Sequence, residues 1–273
     1  MPFFDASRPL VFAHRGGCAL GPENTLAAFD LGMAAGADGL ELDVHLSSDG
    51  IVVVLHDVTL DRTTDASGPV AALTAAELAA VNAGNGLSVS RGGTAAADSD
   101  DPPGTMTGVP TLRDVLRRYA TTPIIVEMKV DSERMGVAVA EEIRTAGAVG
   151  RVCAAGFGDR SLRAVREALP ALATSASQWE VRLALYRSWA RWPVRDAPYG
   201  GYQVPERAGT MRVVSPQFIR YAHDAGFKVQ VWTVDDPADM VRLLEWGVDA
   251  LITNRPDLAV EVRDQFMKGA RRT

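Results

Sequence analysis

The chain has 273 residues, 47% hydrophobic and 23% charged, with a formal net charge of −6 and a sequence pI near 5.3. That composition supports a sizeable core and excludes a disordered chain. The acidic balance and the lack of a basic stripe exclude a nucleic-acid partner; Lys268, Arg271 and Arg272 read as a solvated helix end.

The opening segment MPFFDASRPLVFAHRGG lacks the basic start and long apolar run of a secretory signal. No stretch approaches the roughly 20 apolar residues of a membrane span, so a cytoplasmic protein without stable membrane insertion is expected. Residues 10–13 read as a strand, and 24–35 as a helix capped by Asn24 or Thr25 and ended by Gly36. Runs 39–46 and 51–55 read as strands joined by a hairpin at Asp49-Gly50. Residues 58–110 break the pattern, with one modest helix at 75–81 and then a Gly/Ser/Ala/Asp/Pro stretch over 84–110. The low-complexity tract AAADSDDPPG within it reads as a mobile tip. Strands then alternate with helices: 124–128 with 133–146, 152–155 with 160–168, and 172–175 with 181–189. An irregular region over 192–210 holds a short strand at 201–204. Helix 216–225 precedes strand 229–234, and helix 237–245 precedes strand 250–252. Cys18 and Cys153 have no metal-ligand spacing and read as buried free thiols in a reducing compartment.

Repeated strand-then-helix units predict a parallel sheet with helical crossovers. About eight such strands, and no GxGxxG loop after the first, favour a closed (β/α)8 TIM-type barrel over a doubly wound sheet. The expected organisation is one catalytic barrel domain over 1–273, with an insertion subdomain at 58–110 after the second barrel strand region.

Of four histidines, His14 and His56 directly follow apolar strands, where a barrel places its active-site face. Glu41 and Asp43 stand at i and i+2 on a strand, so both point to one face. Two like charges inside a sheet call for neutralisation, and a divalent cation would provide it. Glu127 is a third acid near a strand end, with Lys129 two residues on. Oxygen ligands suit Mg²⁺ or Ca²⁺ better than zinc. Beside Arg15 and Lys129, such a site suits a phosphate ester, with one histidine taking a proton and the other giving one. His45 reads as a loop or rim residue and His223 as a surface residue on a helix. The segment 179–199, with its tryptophans and arginines, reads as helix packing with snorkelling arginines; the alternative is an aromatic–basic wall for an anionic or lipid headgroup.

These residues resemble the glycerophosphodiester phosphodiesterase family. The resemblance runs through His14-Arg15-Gly16, Pro22-Glu23-Asn24-Thr25, Glu41-Leu42-Asp43-Val44 and Val54-Leu55-His56-Asp57, then Thr59-Leu60-Asp61-Arg62-Thr63-Thr64. It continues at Pro110-Thr111-Leu112, Glu127-Met128-Lys129, Val231-Trp232-Thr233-Val234 and Thr253-Asn254-Arg255-Pro256. It implies hydrolysis of a small-molecule glycerophosphodiester to an alcohol and glycerol 3-phosphate. It further implies His14 and His56 as the acid–base pair, and Glu41, Asp43 and Glu127 as ligands of Mg²⁺ or Ca²⁺. Arg15 and Lys129 would contact the phosphate, Trp232 would line the glycerol side, and Glu23 and Asn24 would support the substrate near the rim. Ser48 stands in the hairpin where the family often carries Thr, which keeps the hydroxyl. The Ala/Asp/Pro-rich insertion is individual to this chain and bears on substrate breadth.

Two other readings stay open at this stage. One keeps the barrel and metal but takes lysophospholipids or a cyclic phosphodiester; an apolar channel beside Trp232 would favour it, a small polar pocket the first reading. The other is a non-catalytic phosphate-binding protein, against which the full set of histidines and acids speaks. The sequence carries no signal for a particular oligomeric state.

Overall fold

A computed structural model describes residues 2–84, 107–194 and 196–270. In chain order the first half comprises β1 (Leu10–His14), α1 (Leu26–Ala34), β2 (Gly39–Leu46), β3 (Val52–Val54), α2 (Ala75–Ala79), α3 (Leu112–Arg118), β4 (Ile124–Met128), α4 (Glu133–Thr145), β5 (Val152–Ala155), α5 (Asp159–Ala168) and β6 (Ala173–Thr174). The second half adds α6 (Gln178–Ala190), β7 (Gly201–Pro205), β8 (Arg207–Ala208), β9 (Met211–Arg212), α7 (Pro216–Asp224), β10 (Lys228–Trp232), α8 (Pro237–Trp246), β11 (Ala250–Thr253) and α9 (Pro256–Ala270).

Eight strands pair in parallel in the order β6-β5-β4-β2-β1-β11-β10-β7. A parallel bridge between Ser175 and Gly201 links the two ends of that order, and the Ala176 N–H donates to the Gly201 carbonyl at 2.9 Å. This is the expected (β/α)8 barrel. The run at 51–55 is not a barrel strand: β3 pairs antiparallel with β2, as the Asp49-Gly50 turn requires, with Gly50 at φ 82.

Alternation along the strands separates two layers. Leu40, Leu42, Val44, Val126 and Ala154 face the helices and pack with Val139 and Ile143 of α4 and Leu162 of α5. The opposite faces give Phe12, Ile125, Cys153, Ala173 and Ile252 to the barrel interior, where Phe3 and Phe4 join them. Phe3 stacks on Phe12 at 5.8 Å, filling the end where the strands start. Gly39 makes room for that layer, since a Cβ there would sit 2.5 Å from the Phe12 ring. At the C-terminal end of the strands the interior turns to polar and charged side chains, including Glu41, Asp43 and Glu127.

Segments 58–84 and 107–111 add a small cluster over β3, in which Val53, Leu55, Leu60, Val70, Leu78 and Val109 are buried together. The tract at 95–104 lies outside the described residues, as do Arg271 and Arg272. Beyond the sequence expectation the structure adds α3, the hairpin β8–β9, α9 and two short 3-10 helices at Pro2–Phe4 and Val70–Ala72. Helix α1 starts at Leu26 with Thr25 as its cap; Asn24 stays outside it at φ 59. No helix among the described residues is long and apolar enough to cross a membrane.

Candidate active site

The C-terminal strand ends open into a cavity of about 410 Å³ lined by His14, Arg15, Glu41, Asp43, His56, Glu127, Lys129 and Trp232 among others. Parallel register brings the acids together: His14 pairs with Glu41 across β1 and β2, and Asp43 with Glu127 across β2 and β4. One carboxylate oxygen from each of Glu41, Asp43 and Glu127 lies within 4.8 Å of the others. Burial, and after it the charges of Asp43 and Glu127, pushes the Glu41 carboxyl well above its ordinary range. Glu127 is raised too, by burial first, with Lys129 opposing the rise.

The strand β1 ends at His14, and the chain turns sharply through Arg15 (φ 53), Gly16 (φ 89) and Gly17 (φ 87). A Cβ on Gly16 would sit 2.7 Å from the Ala28 backbone, so the turn can lie on α1 only with glycine there. That turn aims the Arg15 N–H at Glu41 Oε2, 3.1 Å away. The Arg15 guanidinium reaches Glu23 at 3.0 Å. Its Nε lies 3.2 Å from Asp43 Oδ2 but out of hydrogen-bond alignment, leaving a buried donor unsatisfied beside the acids. Lys129 Nζ sits 2.8 Å from Glu127 and 3.3 Å from Asp43. Both cations named for the phosphate are therefore in the cluster, on the carboxylates.

Each histidine is oriented through Nδ1. His14 Nδ1 lies 2.6 Å from Asn254 Oδ1. The Asn254 amide is fixed the right way round, since its Nδ2 donates to Asp235 at 2.7 Å. His14 therefore carries its proton on Nδ1 and turns Nε2 toward Glu41, 3.9 Å away. Burial lowers its pKa, which favours the neutral ring. His56 Nδ1 lies 2.6 Å from Asp57 Oδ1. Arg62 binds Asp57 and, with His56, holds that carboxyl far below its ordinary value.

Three expectations change. His45 is not a rim residue: it lies within β2, two residues from Asp43 and so on the same face, is 5% exposed, and contacts the His56 carbonyl through Nε2 at 3.0 Å. Asn24 is not at the rim either; it is 1% exposed and donates to Asp43 Oδ2 at 2.9 Å, beneath the cavity. Packing does not account for these aromatics, because Trp179, Tyr186 and Trp189 of α6 and Trp192 just beyond it are all more than half exposed. His223 does lie on a helix surface, 2.8 Å from Asp249. Cys18 and Cys153 are free thiols, the first half-buried and the second buried.

Asn254, Asp235, Asp57 and Arg62 are the parts that sequence reasoning did not assign. Asn254 directly follows β11, and Asp235 closely follows β10. Strand-end position, the signal that singled out His14, applies to them equally.

The family model "Glycerophosphoryl diester phosphodiesterase family" matches residues 14–258. A glycerophosphodiester phosphodiesterase of Caldanaerobacter subterraneus is 31% identical over 260 residues, covering 93% of this chain and 98% of that one. A glycerophosphodiester phosphodiesterase crystal structure from Agrobacterium tumefaciens superposes with a TM-score of 0.73 at 27% identity, over 94% of this chain and 99% of that one. An Oleispira antarctica phosphodiesterase, solved with its product sn-glycerol-3-phosphate, gives a TM-score of 0.73 at 25% identity, over 94% and 97% of the two chains. Fold and comparisons together define a barrel enzyme of the phosphoric diester hydrolase class. Within that class the chain belongs to the glycerophosphodiester phosphodiesterase family.

Proposed function

We propose that the chain hydrolyses glycerophosphodiesters to an alcohol and glycerol 3-phosphate, using His14 and His56 as proton carriers beside a divalent cation. The observation that carries this reading is the pairing of two Nδ1-anchored histidines with a buried carboxylate trio at one end of a barrel. The donor set fits Mg²⁺ or Ca²⁺: three carboxylates, no thiolate, and a buried charge repulsion that a cation relieves. When bound by Glu41, Asp43 and Glu127, the cation withdraws charge from phosphoryl oxygens.

The remaining chemistry belongs to the protein. His14 is favoured as a neutral ring with its lone pair on Nε2, which suits it to take the proton of the attacking hydroxyl. His56, held through Nδ1 by the Asp57 carboxylate at 2.6 Å, is the partner assigned to protonate the leaving alkoxide. Arg15 and Lys129 offer cations to the phosphate, and Trp232 offers a flat apolar wall for glycerol carbons. Glu23 acts through Arg15 and Arg62, and Asn24 through Asp43. The segment 58–110 serves as an insertion subdomain within one catalytic domain, tied to the site through Arg62. The free thiols fit a cytoplasmic setting.

A coupled assay for glycerol 3-phosphate, run with the choline, ethanolamine and glycerol diesters, tests the reading. Release of glycerol 3-phosphate is expected from at least one. No release from any of them, with either cation present, would sink it.

A further inference from the structure

The cavity is divided by chemistry. Its ionic side comes from the adjacent strands β1, β2 and β4, with His56 just beyond β3. The opposite side is built by β5, β6, β7, α6 and the hairpin β8–β9, and supplies Ala176, Val181, Leu185, Met211 and Val213. Trp232 stands on β10 with Phe157 edge-on against it at 6.0 Å. Gln203, a polar residue on the apolar side, directs its amide N–H groups at Gln230 Oε1 (2.8 Å) and Cys153 Sγ (3.6 Å). Ser175, Gln178 and Arg182 also line this side, but apolar side chains predominate there, and desolvating glycerol hydroxyls against them is unfavourable. Hydrocarbon gains there, by up to about fourfold in affinity per buried methylene.

We infer that this chamber holds a single hydrocarbon chain carried on the substrate's glycerol, so that the chain's preferred substrates are monoacyl or monoalkyl glycerophosphodiesters. The inference rests on the phosphodiesterase reading and deepens it. The phosphate lies at the ionic side, the glycerol against Trp232, and the chain between α6 and the hairpin. In the reaction, water oxygen forms the new P–O bond and the P–O bond to the headgroup alcohol breaks. The headgroup oxygen takes a proton, and the products are the free alcohol and a monoacylglycerol phosphate. The acyl ester is untouched. A second feature points the same way. The outer face of α6, the helix that walls the chamber, exposes Trp179, Tyr186 and Trp189, with Arg182 at the cavity lining. Aromatic and basic side chains together suit contact with an amphiphile's interface.

The test measures kcat/KM for headgroup release from glycerophosphocholine and from its acetyl, hexanoyl and decanoyl monoesters, below micelle formation, with divalent cation present. The expected result is a rise of at least about tenfold from the deacylated to the decanoyl substrate. Met211→Gln, at the half-buried position of the otherwise exposed hairpin, and Leu185→Asn, within α6, should each flatten that rise. Met211→Gln keeps the test meaningful if Leu185→Asn fails to fold. A flat or falling series, with glycerophosphocholine turned over, overturns the inference and leaves the phosphodiesterase reading standing. No turnover of any member overturns both.

Discussion

His14 and His56 stand at similar strand ends but in different electrostatic settings. His14 is buried against a neutral amide, whereas His56 faces the Asp57 carboxylate. Replacing either by alanine should lower kcat by about 10²–10⁴-fold on glycerophosphocholine. The two losses should separate on a p-nitrophenyl diester, whose leaving group needs no proton. There His56→Ala should recover most of its loss, while His14→Ala should not. Equal recovery by both variants would contradict the base and acid assignments. Asn254→Ala should lower kcat more than it raises KM, because it frees the His14 ring without removing it; a change confined to KM would count against that positioning role. At this scale the sequence was informative where chemistry follows period two, as for Glu41 and Asp43. His45 shares that parity with Asp43, so its burial was legible in principle. The partners Asn254 and Asp235 come from the far end of the chain, and only barrel closure brings them to His14.

Among the elements, the turn 15–17 and helix α1 act as one device. Gly16 and Gly32 let the turn lie on the helix: a Cβ on Gly32 would come 2.5 Å from the Gly16 carbonyl oxygen. Gly32→Ala should therefore push Arg15 off Glu41, destabilising the chain by about 1–3 kcal/mol in a urea titration and lowering kcat as well. A stable variant with reduced activity would fit less well than loss of both; wild-type values for both would contradict the coupling. The strands were legible because they alternate with helices and are bounded by Gly, Pro and Asp. Helix α3 was not read, although Thr111 and Asp114 form a capping box, because it follows a long low-complexity stretch and has only seven residues. The hairpin β8–β9 is two residues per strand, too short for any periodicity to register. Yet Ala208 and Met211 of that hairpin line the cavity, so part of the site's shape lay beyond sequence reasoning.

In the whole molecule, one end of the barrel is filled by phenylalanine and the other concentrates buried negative charge. Because the Glu41 carboxyl is raised above its ordinary value, the folded chain holds that proton more tightly than the unfolded chain does. Without a cation, this group's contribution makes stability fall as pH rises from the ordinary carboxylate range through the raised value. A cation bound there would displace the proton, so its stabilising effect should grow with pH across that window. At saturating Mg²⁺ or Ca²⁺, around a hundred times Kd, the thermal midpoint should rise by about 5–10 °C. Glu41→Gln should remove most of that rise; an unchanged shift would place the cation elsewhere. The most direct test of the account remains the reaction itself: glycerol 3-phosphate release from glycerophosphocholine by protein stripped with chelator, then resupplied with Mg²⁺ or Ca²⁺. The account predicts loss of turnover on stripping and its return with one of the two ions. Full turnover in chelator would contradict it.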